Sequence, residues 1–247
     1  MWPDERLINL FGIELPIIQA PMAGSAFSDM VVAVSEAGGL GSLACALLSV
    51  EQARRELETI RRKTSRPINA NFFCHQQPRS GPARETNWRR CLEAYYVQMG
   101  LNHNAAVLSS SCAPFDDRMC DLVLEFQPEV VSFHFGLPDK NLLARVRRTG
   151  AKIISSATSV DEARWLEDQG CDAIVAQGYE AGGHRGMFLT SDVFYADRHN
   201  GSGATGGRRR KSASYRGRGD RRCAWNSGGF CSWCSSSADR YSLLALS

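Results

Sequence analysis

The stretch "EVVSFHFGLPDKNLLARVRRTGAKIISSATSVDEARWLEDQGCDAIVAQG", residues 129–178, decides the fold class. Three short apolar runs, "EVVSFHFG", "AKIISSAT" and "DAIVAQG", alternate in it with two segments of helical periodicity, "KNLLARVRRTG" and "SVDEARWLEDQG". Both helical segments end in glycine, a common helix terminator. The apolar runs lack strict alternation, which indicates strands buried on both faces and hence a parallel sheet covered by helices.

The same alternation of strands and helices extends toward the amino terminus. The predicted strands are "LPIIQAPMAG", "LGSLACAL" and "PINANFF", and the predicted helices are "SDMVVAVSEAGG", "SVEQARRELETIRRKT", "NWRRCLEAYYVQMG" and "DDRMCDLVLEFQP". Capping signals support several helix starts, because Ser28, Ser49 and Ser159 each precede a helical pattern, and Glu162 completes a capping box with Ser159.

About six βα units of this kind predict an α/β protein with either a doubly wound sheet or most of a (βα)8 barrel. Nothing after the first strand resembles a glycine-rich dinucleotide fingerprint, which favours the barrel. We therefore predict an incomplete (βα)8 TIM barrel in residues 1–193 that lacks its last two strands, followed by a tail at residues 194–247.

The charge distribution and the cysteine pattern indicate the cellular compartment and the binding partners of the protein. The net charge of +3 is uneven, because residues 194–247 carry nine Arg and one Lys against three Asp, a local charge of +7. Six of the nine cysteines are scattered through residues 1–193 without paired spacing, which is typical of reduced thiols. With no amino-terminal signal region and no apolar run long enough to span a bilayer, we predict a cytoplasmic protein without a membrane partner.

The active site of a barrel lies at the carboxyl ends of its strands. Polar side chains recur at these ends, namely Gln19, Asn69, Asn71, His134, Ser156, Gln177, Glu180 and His184. Amides and backbone N–H groups suit a neutral heterocycle better than a metal ion. Because no His, Asp and Glu set has metal-ligand spacing, we predict no metal.

The segment "EAGGHRG", residues 180–186, is the most informative of these ends. Gly182 and Gly183 let the backbone approach a flat ligand closely, because no Cβ intrudes. His184, which follows them, can donate or accept a proton near neutral pH. The alternative is a flexible loop with an exposed histidine and arginine.

Four motifs in order, "PIIQAPMAG", "NANFF", "SFHFGLP" and "QGYEAGGHRG", resemble the nitronate monooxygenases, formerly called 2-nitropropane dioxygenases, over residues 7–193. These are FMN-dependent TIM-barrel enzymes. The resemblance implies FMN as the cofactor, and a nitronate and oxygen as the small-molecule partners. It implies that an alkyl nitronate is oxidised with oxygen to a carbonyl compound and nitrite.

The resemblance also implies roles for individual residues. His184 would be the catalytic histidine beside the nitronate and N5 of the flavin. His134 would contact the substrate, or would instead be a hydrogen-bonded histidine of the core. The cofactor contacts would be Ala20, Pro21 and Met22 at the flavin ring, together with Asn71, Gln177, Gly182 and Gly183.

A second family of FMN barrels is the main alternative. The flavin-dependent enoyl-acyl-carrier-protein reductases also carry an "EAGGH"-like loop. The "FHFGLP" strand and the helical insertion with "EAYY" are more similar to the nitronate enzymes. The enoyl reductase therefore stays the alternative function.

The tail at residues 194–247 is rich in Gly, Arg and Ser and shows no periodicity, which predicts disorder. Its "RRRK" and "RGRGDRR" runs are typical of nucleic-acid contact, but composition alone is weak support, and we predict no nucleic-acid partner. "CSWC" lacks the second cysteine pair that a zinc site needs. A homodimer stays open.

A shift of reading frame offers another explanation of the tail. In a permitted coding of "VFYADRHNG", residues 193–201, deletion of one T gives "VSTQIGTMA", which resembles the family's next segment. When synonymous codons are chosen to favour this result, the shifted frame of the remaining tail encodes a sequence typical of a helix, a strand, a second helix and the eighth strand. We therefore hypothesise a single-base insertion near codon 194, either in the gene or in its sequencing. A chain without the last two strands should bind FMN poorly and show impaired activity.

Overall fold

The computed structural model describes residues 2, 4–77, 81–102, 112–178 and 181–192, together with the backbone of three strands between residues 214 and 235. Five strands form one parallel sheet: β1 Gly41–Ala44, β2 Ile68–Phe73, β3 Val130–His134, β4 Lys152–Ala157 and β5 Ala173–Ala176. The helices are α1 Arg6–Phe11, α2 Ser28–Glu36, α3 Val50–Lys63, α4 Pro82–Gln98, α5 Asp117–Phe126, α6 Lys140–Arg148 and α7 Val160–Asp168.

The strand order β1-β2-β3-β4-β5 distinguishes the two predicted architectures. Each strand lies beside its predecessor in the chain, and all four pairs are parallel. A doubly wound sheet reverses its order at a switch point, whereas a βα barrel adds strands in one sense. The described sheet has no reversal, which confirms an incomplete barrel.

Alternate side chains of the strands belong to two separate cores. Ala70, Phe72, Val131 and Phe133 join the main hydrophobic core, which they share with the helices. A smaller cluster lies near the amino ends of the strands and consists of Phe11, Ile13, Ile18, Leu40, Val130, Ile154 and Ala173. Burial on both faces explains why the strands show no strict polar alternation.

The predicted first strand, at "LPIIQAPMAG", is reduced to a single parallel bridge between Ile18 and Leu40. The Gln19 N–H donates to the Leu40 carbonyl at 2.9 Å, but Pro21 has no N–H with which to continue the ladder. The Gln19 side chain extends the pairing instead. Its Nε2 donates to the Ser42 carbonyl and its Oε1 accepts from the Ser42 N–H, both at 3.3 Å.

Two of the three predicted serine caps form, but Glu162 does not close the predicted capping box of α7, because its carboxylate bonds elsewhere. Ser49 and Ser159 cap α3 and α7 through their hydroxyl oxygens. Ser28 lies inside α2 and makes no side-chain cap. Its N–H donates instead to Glu56 Oε2 of α3 at 2.8 Å. A carboxylate from a neighbouring helix thus replaces the local cap, and sequence spacing cannot reveal such a contact.

Helix α4 differs from the other helices because none of its 17 residues is buried. Trp88, Leu92, Tyr95 and Met99, the last at its C-cap, recur at spacings of four and three and so share one face. This apolar stripe is largely exposed, with Trp88 65% and Met99 71% accessible. No helix in the described ranges is both long and apolar enough to cross a membrane.

Three strands of the tail form a separate antiparallel sheet: β6 Ser214–Gly217, β7 Arg221–Trp225 and β8 Cys231–Ser235. The structure differs here from the predicted disorder, and the aromatic residues of these segments favour strands. The rest of the tail lies outside the described residues. The domain boundary near residue 193 and the hypothesised base insertion stay predictions.

Candidate active site

A band of hydrogen-bonded polar side chains crosses the inner face of the sheet. Asn69 Nδ2 on β2 donates to Ser42 Oγ at 3.0 Å, and Asn71 Nδ2 donates to Ser132 Oγ on β3 at 2.9 Å. The strand register places the partners side by side. All four residues are buried, and Asn69 Oδ1 has no hydrogen-bond partner among the residues that the structure describes.

His134, at the end of β3, has both ring nitrogens engaged. Nε2 lies 3.0 Å from the His184 backbone oxygen, which can only accept, so Nε2 carries the hydrogen and donates. Nδ1 then has a lone pair and accepts from the Ser156 hydroxyl at 2.6 Å. Burial lowers the pKa of His134 below its usual value, which keeps the ring neutral at pH 7.

Gln177, directly after β5, holds the same carbonyl group. Its Nε2 donates to the His184 backbone oxygen at 2.7 Å, and its Oε1 accepts from the Gly186 N–H at 2.7 Å. The His184 carbonyl thus accepts hydrogen bonds from the ends of both β3 and β5. The loop after β5 therefore turns back over the carboxyl ends of the strands.

Gly186 allows this close return of the loop. A Cβ at this position would lie 2.5 Å from His134 Cε1 and 2.8 Å from Ser156 Oγ. Both distances are shorter than nonbonded carbon and oxygen atoms tolerate. Only glycine lets the backbone pack against the His134–Ser156 pair.

Glu162 anchors the other end of the loop. Its side chain is fully enclosed, and Oε2 accepts from both the N–H and the hydroxyl of Thr158 at 2.7 Å. Its Oε1 accepts from the N–H groups of Phe188 and Leu189 at 2.8 and 3.3 Å. One buried carboxylate thus joins the start of α7 to the loop that follows β5.

We expect Glu162→Gln to lower the free energy of unfolding by about 1–3 kcal/mol. The glutamine would replace one carboxylate oxygen with an NH2 group, which cannot accept the hydrogen bonds that this oxygen accepts now. Urea unfolding of the flavin-free protein measures the change. Glu51→Gln, at an exposed carboxylate paired with Arg118, is the matched control and should leave the midpoint unchanged. Equal midpoints for the two variants would contradict the anchoring role of Glu162.

The imidazole of His184 lies in an aromatic cluster. It is exposed and packs against Phe73 and Phe135, with ring centroids 5.5 and 6.1 Å apart. Phe135 has a φ of 66°, which is uncommon outside glycine, and its ring lies 4.5 Å from that of His134. Within the described part of the chain, neither ring nitrogen of His184 has a hydrogen-bond partner. The imidazole is therefore available to a ligand.

The structure brings together His134, Gln177 and His184 from the predicted site, with Gly182 and Gly183 directly before the histidine. Both glycines are exposed, and apart from their chain neighbours no atom of the described residues lies within 4 Å of where a Cβ would stand at either. Gly183 has a φ of 77°, a conformation that favours glycine. Open space thus lies beside the backbone that leads to His184.

The four other predicted cofactor contacts, Asn71 and residues 20–22, do not take part in the hydrogen bonds of this group that the described residues show. Asn71 is buried on β2, and its amide nitrogen is bonded to the neighbouring strand. The exposed segment 20–22 follows Gln19 and leads into a turn at residues 23–25. In the described ranges, no hydrogen bond or ring contact joins this segment to His184.

Several residues that support the site were not predicted from the sequence. Phe73 and Phe135 contact the histidine of the loop, and Gly186 packs the loop against His134 and Ser156. Glu162 was predicted only as a helix cap. Their partners come from other strands and helices, and no local spacing marks such contacts. Glu180, one of the predicted polar residues, lies outside the described residues.

The residues present fit a flat heterocycle such as a flavin ring. The backbone at Gly182 and Gly183 is open to a planar ligand. Asn69 Oδ1 is a buried acceptor that meets no donor from the described ranges, which costs about 1–3 kcal/mol unless a group such as a ring N–H satisfies it. The part of the chain that the structure describes contains no group of three His, Cys, Asp or Glu side chains suited to a metal ion.

Known proteins resemble the chain in both sequence and structure. The sequence model of the family described as nitronate monooxygenase matches residues 4–199. A nitronate monooxygenase of Paraburkholderia phytofirmans is 42% identical over 184 residues, which are 74% of this chain and 50% of that protein. A nitroalkane oxidase from Streptomyces ansochromogenes has a TM-score of 0.64 and 35% identity, covering 76% of this chain and 52% of that chain.

FabK from Thermotoga maritima is a more distant structural relative, with a TM-score of 0.52 and 26% identity over 74% of this chain and 47% of that chain. The chain spans about half the length of the relatives it matches. The family match nevertheless covers most of the chain and includes every residue of the candidate site. The chain belongs to the nitronate monooxygenase family, a group of flavin-dependent oxidoreductases.

Proposed function

We propose that this chain is the catalytic part of an FMN-dependent enzyme that oxidises alkyl nitronates with oxygen to carbonyl compounds and nitrite. The observation that carries the proposal is a fixed loop that presents the unpaired His184 imidazole at the carboxyl edge of the sheet. Oxygen and a nitronate are the proposed small-molecule partners, and the cytoplasm is the proposed location.

His184 suits a small anionic substrate. A nitronate carries its negative charge on two oxygen atoms, and an imidazole N–H can donate to one of them. The rings of Phe73 and Phe135 beside it offer an apolar wall for the alkyl chain. Because the His184 carbonyl is held by two donors, the position from which its side chain projects is fixed before substrate binds.

The proposed FMN contacts are those that the family resemblance implies, namely Ala20, Pro21, Met22, Asn71, Gln177, Gly182 and Gly183. When bound, the flavin would take electrons from the nitronate and pass them to oxygen. Gln177 can serve both the loop and a ligand, because its amide retains one N–H and one lone pair beyond the two loop bonds. Asn69 Oδ1 is an additional acceptor for a ring N–H.

Nitrite release from propionate 3-nitronate or an alkyl nitronate tests the proposal. It is measured with FMN in excess and normalised to bound flavin, because this chain should bind FMN poorly. We expect release that depends on both FMN and oxygen. The likeness to FabK makes an enoyl reductase the competing function, so the same preparation is assayed for NAD(P)H consumption with an enoyl thioester. NAD(P)H consumption without nitrite release would replace the proposed function with the competing one.

The flavin content of the purified protein tests the predicted effect of the base insertion on FMN binding. The chain as encoded should contain little FMN, whereas the product of a gene lacking one T near codon 194 should purify yellow with close to one FMN per chain. Absorbance of the released flavin measures this ratio. A stoichiometric flavin content in the unmodified chain would contradict the predicted loss, and clean genomic reads with no alternative frame would count against a sequencing error.

A further inference from the structure

We propose that His134 is a positioning residue, which fixes the loop carrying His184 through a Ser156–His134–carbonyl chain of hydrogen bonds and does not contact the substrate. The catalytic part of this inference rests on the proposed function. The structural part, the tautomer of His134 and the fixation of the loop, stands independently of it.

The hydrogen-bonding capacity of His134 is used up within the protein. A neutral imidazole has one N–H and one lone pair in the plane of its ring. The N–H donates to the His184 carbonyl at 3.0 Å and the lone pair accepts from Ser156 at 2.6 Å. Gln177, by contrast, retains capacity for a ligand. A substrate could bind His134 only by breaking one of these two bonds.

The loop also covers the ring of His134. The Gly186 backbone packs so close to Cε1 and Nδ1 that a Cβ there would lie 2.5 and 2.9 Å from these atoms. This edge of the imidazole is therefore closed to a ligand by the chain itself. The uncovered imidazole of the cluster is that of His184, which is exposed.

The Ser156 hydroxyl supports the tautomer of His134 that the His184 carbonyl requires, which has its hydrogen on Nε2. The register of β3 and β4 pairs Phe133 with Ser155, so His134 and Ser156 follow side by side at the carboxyl ends of these strands. A hydroxyl that donates to Nδ1 stabilises the tautomer with hydrogen on Nε2, and that tautomer can donate to the His184 carbonyl. In the opposite tautomer, the Nε2 lone pair would face the carbonyl oxygen and repel it.

The serine variants Ser156→Ala and Ser155→Ala separate this role from a general loss of a buried hydroxyl. Ser155 Oγ donates to the Phe133 and Gly136 carbonyls and does not touch His134, which makes it the matched control. NMR of the full chain labelled with 15N-histidine reports the tautomer, and exchange of the Gly186 amide hydrogen reports the loop. Neither measurement needs flavin or turnover.

We expect the His134 hydrogen on Nε2 in the unmodified protein and in Ser155→Ala, and a mixture of tautomers in Ser156→Ala. Exchange of the Gly186 amide should become at least tenfold faster only in Ser156→Ala. In FMN-reconstituted protein, kcat for nitrite release should fall about tenfold in Ser156→Ala with KM changed less than twofold, because the loop is misplaced but the substrate contacts remain.

Three outcomes would overturn the proposal. The first is hydrogen on Nδ1 of His134 in the unmodified protein. The second is loop exchange that is equally slow in Ser156→Ala and the unmodified protein. The third is a shift of the His134 Nε2 resonance on adding a nitronate, which would make this histidine a substrate contact. If no nitrite forms in any preparation, the proposed function fails while the tautomer and exchange results still decide the structural inference.

Discussion

Replacing His184 with Ala is expected to lower the rate of nitrite release about 10²- to 10⁴-fold, the range typical of a lost general acid–base group. The physical reason is that His184 presents the one imidazole of the described cluster with an exposed ring and unengaged nitrogens. Flavin content should stay unchanged, because the predicted cofactor contacts lie on other residues. The rate is measured on FMN-reconstituted protein and normalised to bound flavin.

His75→Ala is the matched control for this experiment. His75 is half-buried and also contacts Phe73 and Phe135, with ring centroids 6.3 and 6.2 Å apart. Its removal disturbs the same aromatic cluster without removing the proposed catalytic group, so turnover should fall less than threefold. Full turnover in His184→Ala, or equal losses in the two variants, would remove His184 from the mechanism.

Replacing Gly186 with Ala is expected to lower the free energy of unfolding by about 3 kcal/mol and to abolish most of the turnover. The added methyl group would overlap His134 and Ser156, so the loop must move outward and give up its bonds to Gln177 and His134. Urea unfolding of the flavin-free protein gives the stability change, and nitrite release gives the activity.

Gly182→Ala, in the same loop, is the matched control for stability. In the part of the chain that the structure describes, a Cβ at Gly182 would meet no atom within 4 Å other than its chain neighbours, so the flavin-free protein should unfold at an unchanged urea concentration. The same variant should weaken FMN binding about tenfold if the flavin approaches this backbone as proposed. Similar destabilisation in both glycine variants would mean that the packing at Gly186 has no special importance.

The architecture could be predicted from the sequence because its signals are local. Gly150 and Gly170 end α6 and α7 with positive φ, and Ser159 begins α7, as the sequence patterns indicate. The first strand could not be predicted in its observed form, since the Gln19 side chain takes over the pairing that Pro21 interrupts.

The candidate site was only partly accessible to sequence reasoning. The position of His184 after two glycines marks it as a functional candidate, and its exposed ring agrees with that reading. The supporting bonds could not be found, because His134, Ser156 and Gln177 meet from three strands and converge on a backbone carbonyl. Every residue has a backbone carbonyl whatever its type, so no pattern of residue types can reveal which carbonyl accepts these bonds.

Helix α4 has a practical consequence for anyone who purifies this protein. Its largely exposed stripe, defined above as Trp88, Leu92, Tyr95 and Met99, is an apolar surface patch that favours association with other apolar surfaces. Self-association at high concentration should therefore begin on this helix while the parallel sheet stays folded. A polar replacement such as Trp88→Lys should raise the protein concentration at which turbidity begins, and it should leave the melting temperature unchanged.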